Sequence, residues 1–394
     1  MDHNDIVIVA AKRTPMGGML GSLSTLTAPE LNAISHKAAL AQAGMKPSDI
    51  DEVISGCVLQ AGIGQAPARQ AALKAGIPDS AGATTINKMC GSGMKAVMLA
   101  HDLIKTGTAN IVMASGMESM TNAPYLLPKA RAGYRAGHGE IIDHMFLDGL
   151  EDAYTKGQLM GCFADATAAH FKFSREQQDE YASHSMTKAL KAIESGAFAE
   201  EIAAVTISSR KGDITVTRDE GPDESKLAKI PQLKPAFKAD GTVTAANSSS
   251  ISDGAASLIL MTAGEAEKRG IRPLARIVAH ASHAQAPEWF TTAPVDAIRK
   301  VMNKAGWNRS DVDLYEINEA FAVVAMAAIA QLELNPDHVN IHGGACALGH
   351  PIGASGARVL VTLIHALKQK GKKRGIASLC IGGGEATAMA IELI

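Results

Sequence analysis

The feature that most constrains this 394-residue chain is that its two ends repeat each other. Ala43-Gly44-Met45-Lys46-Pro47-Ser48-Asp49-Ile50-Asp51 is answered by Ala305-Gly306-Trp307-Asn308-Arg309-Ser310-Asp311-Val312-Asp313, an offset of 262 from Ser48 to Ser310. Ser92-Gly93 opens an apolar-periodic stretch reaching Ile104-Lys105. Ser355-Gly356 opens one reaching Leu367-Lys368, at an offset of 263. The run from Ile111 to Gly116 is matched by Gly375 to Cys380. A nearly constant offset across three elements implies two similar halves. Within the first half, strand-like runs (6–11, 53–59, 83–86, 110–116) alternate with helical patterns (29–44, 66–75, and the one after Ser92-Gly93). Continuous apolar strands alternating with helices imply parallel pairing, with the sheet covered on both faces.

Between the halves the pattern changes. Residues 118–249 carry Pro124, Pro128, Pro222, Pro231 and Pro235, together with charged runs such as Arg210-Lys211-Gly212-Asp213. One clear helix stands near 175–195, with Ser174 as N-cap and Gly196 as stop. So irregular a stretch inside a duplicated scaffold reads as a functional insertion. The expected organisation is a first half of 1–117 plus 250–269, an inserted domain of 118–249 and a second half of 270–394. Ser252-Asp253-Gly254-Ala255-Ala256 reads as a lead-in to a strand over 257–260.

A net charge of −2 gives no general reason to expect nucleic acid or an anionic membrane as partner. Cysteines at 57, 90, 162, 346 and 380 have neither disulfide-framework nor zinc-ligand spacing, so no metal site is expected and a reducing compartment fits. The acidic start lacks the marks of a signal peptide, and no apolar run approaches a membrane span. The expectation is a soluble cytoplasmic protein.

Chemistry concentrates in glycine-rich bends. Asn87-Lys88-Met89-Cys90-Gly91-Ser92-Gly93 places a lone cysteine between a β-rich run and a helix. The helix's partial positive charge favours thiolate, the nucleophilic form. A small buried thiol before a glycine turn is the bland alternative. Gly349-His350-Pro351 and Cys380-Ile381-Gly382-Gly383-Gly384 each put a proton-transferring side chain in a similar bend, and Asn318-Glu319-Ala320-Phe321 adds a polar pair before an alanine-rich helix.

In these four loops, taken in order, the chain resembles the thiolase family, and the likeness extends over essentially the full length. The resemblance implies a duplicated α/β fold of two mixed-sheet halves, layered α/β/α/β/α, with an inserted loop domain that covers the active site and holds coenzyme A. It implies Cys90 as acyl-accepting nucleophile, His350 as the base that removes its proton, and Cys380 as acid/base at the α-carbon of the second substrate. Asn318 would anchor a water that, with His350, binds a thioester oxygen. The backbone N–H groups of Cys90 and Gly382 would form a second oxyanion site, and Glu319 would orient Asn318 or its loop. Coenzyme A contacts carry over to Leu150, Met160, Phe237, Ala245, Ser249, Ala320 and Phe321. Each of these residues could instead simply pack in core or loop.

The implied activity is acetyl-CoA C-acetyltransferase, joining two acetyl-CoA to acetoacetyl-CoA and CoA through an acyl-Cys90 intermediate. A broader 3-ketoacyl-CoA thiolase of fatty-acid β-oxidation is the near alternative, and an inactive CoA- or lipid-binding module the distant one. CoA thioesters would be substrates, with no separate cofactor. Decarboxylating synthases of this fold use two histidines beside their cysteine, and Cys380 argues against that chemistry. Two positions depart from the short-chain pattern: Leu159 stands where a His is common, and Glu385 where Gln or an apolar residue is common. Tyr125–Pro128 and the glycine-punctuated 131–139 would project and join dimers into a homotetramer, with a dimer as the alternative.

Overall fold

The computed structural model describes residues 2–210 and 212–394; Met1, of the acidic start, and Lys211, of the charged run 210–213, lie outside them. Nine strands carry the main sheet: β1 (Ile6–Arg13), β2 (Glu52–Gly56), β3 (Gly82–Ile86), β4 (Val112–Ser119), β5 (Ser252–Thr262), β6 (Ala275–Ala284), β7 (Leu314–Ile317), β8 (Arg374–Ile381) and β9 (Glu385–Leu393). A two-residue strand, Gly17–Gly18, pairs with the start of β5. The order is β7-β8-β9-β6-β1-β5-β4-β2-β3.

The repeat is visible in the pairing. In the first half β1–β5 and β5–β4 are antiparallel, while β4–β2 and β2–β3 are parallel. In the second half β6–β9 and β9–β8 are antiparallel and β8–β7 is parallel, with a parallel bridge from Tyr315 to Val339 where the first half has a full strand. Within the sheet, among the described residues, the halves pair through Val7↔Arg276 and Ile8↔Ala275, antiparallel. Strand–helix alternation therefore foretold the parallel strands but not the mixed sheet. One strand in each half, β5 in the first and β9 in the second, runs against the others, and β9 follows β8 through a tight glycine turn rather than a helix. The strand expected over 257–260 starts at Ser252, so the Ser-Asp-Gly stretch is already in the ladder. β4 likewise continues to Ser119.

Eight helices matter here: α1 (Ala28–Ala43), α2 (Pro67–Lys74), α3 (Ser92–Lys105), α4 (Met160–Phe171), α5 (Arg175–Glu194), α6 (Ala293–Ala305), α7 (Ala322–Leu332) and α8 (Ser355–Lys370). The repeated pair, α3 and α8, forms the middle layer. α8 is buried without a break from Ser355 to Leu367. One core joins Val97 and Ala100 of α3 and Leu360 and Leu363 of α8 to Leu258 in the first half and Leu379 in the second. Separate cores lie under α1 and under α6 and α7 on the outer faces. This gives the α/β/α/β/α order. The repeated Ser-Gly pairs mark where the middle helices start against each other. A Cβ on Gly93 would sit 2.6 Å from the Ala357 nitrogen, and one on Gly356 would collide with Met94.

The irregular segment between β4 and β5 holds α4, α5 and two small hairpins, Tyr125–Leu126 with Ile142–Asp143 and Val205–Ile207 with Ile214–Val216. Ser174 caps α5 by accepting from the Gln177 N–H. A buried ionic cluster ties the segment down. Arg13 Nε donates to Glu201 at 2.5 Å and its two terminal nitrogens grip Asp219 at 2.6 and 2.9 Å. The pairing is bidentate, the geometry in which a buried guanidinium is best satisfied. Exposed Tyr125, Leu127 and Ile141 stand at the base of the excursion that spans 131–139.

Candidate active site

The cysteine loop is a strained turn. After β3 the chain passes through Met89 at φ +47°, a conformation that costs a non-glycine residue. Ser92 holds the turn shut. Its hydroxyl accepts from the Lys88 N–H at 2.8 Å and donates to the Met89 carbonyl at 2.7 Å. Cys90 is thereby placed one residue before the Gly91 N-cap of α3. The backbone N–H groups of Gly382 and of Cys90 itself lower the thiol's pKa, but burial outweighs them and pushes it up to about 11, with the Glu118 carboxylate adding to the rise. The expectation that the helix start makes a standing thiolate is therefore corrected: desolvation wins over the dipole.

His350 faces the same space. Ser355 Oγ lies 2.5 Å from His350 Nδ1 and donates its own proton to the Pro351 carbonyl at 3.0 Å. With the hydroxyl proton assigned to Pro351, the tautomer that completes this network carries its hydrogen on Nδ1. Nε2 then bears the lone pair, and it is buried with no hydrogen-bond partner among the described residues. Burial, and then the Arg358 charge, push the imidazole down to about 3, so it rests neutral. Asn318 is fully buried behind it. Its Oδ1 faces Arg358 at 3.4 Å and its Nδ2 stands 3.5 Å from His350 Nδ1, both long contacts.

Cys380 comes from the other half, at the end of β8. It is fully buried, and its thiol is pushed well above the ordinary range by burial and then by Cys90. The two sulfurs thus feel each other, and a charge on one opposes a charge on the other. Gly383 and Gly384 at φ +92° and +88° turn the chain after Cys380.

A cavity of about 270 Å³ opens on this cluster. Cys90, His350, Gly382, Leu150, Met160, Ser249, Ala320 and Phe321 line it, so the structure brings most of the expected site residues together. Asn318 and Cys380 are fully buried and are not among the lining residues. Phe237 stands behind it, edge-on to Phe321 at 5.9 Å. Ala245 is exposed and outside the lining. Leu147, Tyr154, Phe290 and Ile352 also line the cavity and were not singled out from the sequence. Glu319 points elsewhere. Its carboxylate accepts from Tyr181, Ser185, Asn340 and the Cys346 N–H, fixing the loop that follows Asn318 against α5.

Two further residues organise the loops. Glu118 is fully buried and accepts from the N–H groups of Val58 and Leu59 at 3.0 Å each and of Gly353 at 2.8 Å. It joins the first half to the His350 loop, and burial pushes its carboxyl up to about 7. A lone acid inside the otherwise uncharged run Val112–Ser119 was the sequence signal for it. Lys88 and Glu385 form an ion pair across the two cysteine loops, which gives the departure at position 385 a physical partner.

The pattern "Thiolase, N-terminal domain" matches residues 6–264, and "Thiolase, C-terminal domain" matches 271–393. The chain belongs to the thiolase family. This thiolase is 49% identical over 397 residues to acetyl-CoA acetyltransferase 2 of Arabidopsis thaliana, covering 100% of this chain and 98% of the relative. It is 49% identical to acetyl-CoA acetyltransferase of Cupriavidus necator, covering 98% and 99%. Among solved structures, the acetyl-CoA acetyltransferase of Bacillus anthracis superposes with a TM-score of 0.96 at 42% identity, covering 99% of both chains. A thiolase of Ascaris suum solved in complex with coenzyme A superposes at 0.93 with 40% identity, covering 99% and 100%.

Proposed function

We propose that this thiolase is an acetyl-CoA C-acetyltransferase, interconverting two acetyl-CoA with acetoacetyl-CoA and CoA. The observation that carries the reading is the unpartnered His350 Nε2 on the same cavity as Cys90, with the Gly382 N–H turned toward the sulfur. His350 Nε2 takes the Cys90 proton as the sulfur attacks the thioester carbonyl. The N–H groups of Cys90 and Gly382 hold the tetrahedral oxyanion. CoA departs with the proton from His350, leaving acetyl-Cys90.

In the second half-reaction His350 takes the Cys380 proton, and the Cys380 thiolate removes a proton from the methyl carbon of a second acetyl-CoA. Asn318, through a water, and His350 stabilise the enolate oxygen. The carbanion attacks acetyl-Cys90 and the Cys90 sulfur leaves, regaining a proton from His350. The enzyme is then back in its starting protonation state, one methyl proton of the second substrate having been exchanged in net for the proton that left on CoA, and thiolysis is the reverse.

The segment 118–249 holds coenzyme A through Leu150, Met160, Phe237, Ala245 and Ser249, with Ala320 and Phe321 contributed from the second half. Its projecting loop joins two dimers into a homotetramer. No dissociable cofactor is required, because the thioester is the substrate. No described helix is long and apolar enough to cross a membrane, and the cytoplasm is the proposed location. The apolar lining from Leu147, Leu150 and Ile352 favours one second reading, activity on longer 3-ketoacyl-CoAs.

Mass spectrometry after mixing with acetyl-CoA tests the reading. An acetyl group is expected on Cys90 and none in Cys90→Ser; an adduct on another cysteine overturns the assignment. Thiolysis rates with acetoacetyl-CoA against longer 3-ketoacyl-CoAs decide between the substrate classes.

A further inference from the structure

We propose that His101, Asp102 and His280 form a binding site for a divalent transition-metal ion of the zinc, cobalt or nickel class. The site lies where the end of α3 meets β6. His101 Nδ1 stands 2.9 Å from Asp102 Oδ1, and His280 Nε2 stands 3.0 Å from the same oxygen. The two nitrogens are 3.3 Å apart. Three donor atoms thus face one another in a nearly regular triangle. A metal about 2.0–2.2 Å from each donor places neighbouring donors roughly 2.8–3.6 Å apart, the shorter end for octahedral and the longer for tetrahedral geometry. The three observed spacings fall within that range. Two imidazoles and one carboxylate also suit these ions better than magnesium or calcium, which prefer oxygen sets.

The donors are held rather than hanging. His101 and Asp102 are consecutive on a helix whose opposite face lies in the central core. His280 is in the ladder with β9, opposite Met389. The rings pack edge to face with centroids 4.9 Å apart. His101 and His280 side chains are mostly buried, whereas Asp102 is half exposed, so solvent reaches the triangle and can supply the remaining ligands. Lys304 stands nearby, with its ammonium turned to the His280 carbonyl at 3.1 Å. In the metal-free chain both imidazoles can satisfy themselves on Asp102, which makes hydrogen bonding alone the competing account.

No local ligand spacing marks this site, because His280 lies 178 residues from Asp102. That is why the sequence read as metal-free. α3 belongs to the first half and β6 to the second. A bound ion would therefore link the halves directly, at a place where, among the described residues, the sheet joins them by two residue pairs. The site is three helical turns along α3 from Cys90, so it stands independently of the catalytic reading.

The test uses the full untagged chain after chelation, titrated with Co2+ and then Zn2+ by calorimetry and visible absorption in parallel with thermal unfolding. Saturable binding of one ion per chain, a ligand-field spectrum of a nitrogen/oxygen site and a raised unfolding temperature are expected. His101→Gln/His280→Gln should lower the affinity by at least ~10-fold, with thiolysis activity unchanged. Asp102→Asn is the second variant should the double variant fold poorly. Absence of binding, a thiolate-type spectrum pointing to the cysteines, or affinity unmoved by these variants overturns the proposal.

Discussion

Ser355→Ala tests how the chain chooses the working form of its base. With the Ser355 hydroxyl donating to the Pro351 carbonyl, the assigned network has its Oγ accept the Nδ1–H of His350. The opposite tautomer would need the hydroxyl to turn and donate to Nδ1, abandoning Pro351. That lost bond is worth about 0.5–1.5 kcal/mol, so the network favours the productive tautomer by about 2- to 13-fold. Removing the hydroxyl erases this preference. It also leaves the Asn318 amide, whose Nδ2 stands 3.5 Å away, as the nearest polar group to Nδ1, and an amide N–H there favours the wrong tautomer. The rate of acylation should fall by about that factor or somewhat more, with the KM for acetyl-CoA little changed. Stability should fall by about 1–3 kcal/mol, since a fully buried imidazole N–H loses its acceptor. A stopped-flow record of free CoA on mixing with acetyl-CoA measures the first quantity, and urea unfolding measures the second. An unchanged acylation rate alongside the stability loss would refute the argument, because Ser355 would then only fill space.

The other predictions probe the loops. Cys380→Ala should keep the first burst of CoA while turnover falls by ~10²–10⁴, the usual loss for an acid/base group; rapid-quench and steady-state rates separate the two. Glu118→Gln should cost about 1–3 kcal/mol, because an amide nitrogen would face one of three backbone donors. In the parent chain the folded Glu118 carboxyl stands at about 7 against an ordinary 4.5. Its contribution to stability is therefore full below about 4.5 and lost as pH rises through 7. Urea midpoints at pH 5 and pH 8 should differ less in the variant, part of the trend remaining because Glu316 is raised in the same direction. Lys88→Glu and Glu385→Lys should each slow thiolysis several-fold with stability changed by no more than ~1 kcal/mol, since the pair is partly exposed. The double exchange should recover most of the rate, and a double variant slower than either single would show that the charges do not pair.

What could be read from the sequence was what local chemistry writes there. The Ser-Gly pairs, the Ser174 cap and the Gly44 stop each fix a short stretch by themselves, and helix bounds followed within a residue or two. Strand direction did not follow, because β9 returns beside β8 through glycines whose turn looks, in sequence, like any catalytic bend. The site showed the same division. Cys90, His350 and Gly382 announce themselves by residue type in a glycine-rich loop. Glu118 works only through backbone donors from two distant loops, and His280 reaches α3 only once the halves are folded together.

Desolvation reaches both members of the proposed catalytic pair in opposite senses. It raises the Cys90 thiol to about 11 and lowers the His350 imidazole to about 3, so the resting site holds two neutral groups. A helix start cannot overcome that, since its field is worth about 1 kcal/mol. In the proposed mechanism the proton therefore moves as the sulfur attacks, when the departing charge is taken up by the carbonyl oxygen and met by the N–H groups of Cys90 and Gly382. This also accounts for the strained Met89 and the glycine turn after Cys380. Each fixes a donor before substrate arrives, so the site pays no reorganisation when charge develops. A neutral resting pair carries a second expectation: with burial pushing its thiol up, unacylated Cys90 should react slowly with alkylating agents, and the rate of its labelling by iodoacetamide against that of a free thiol measures this.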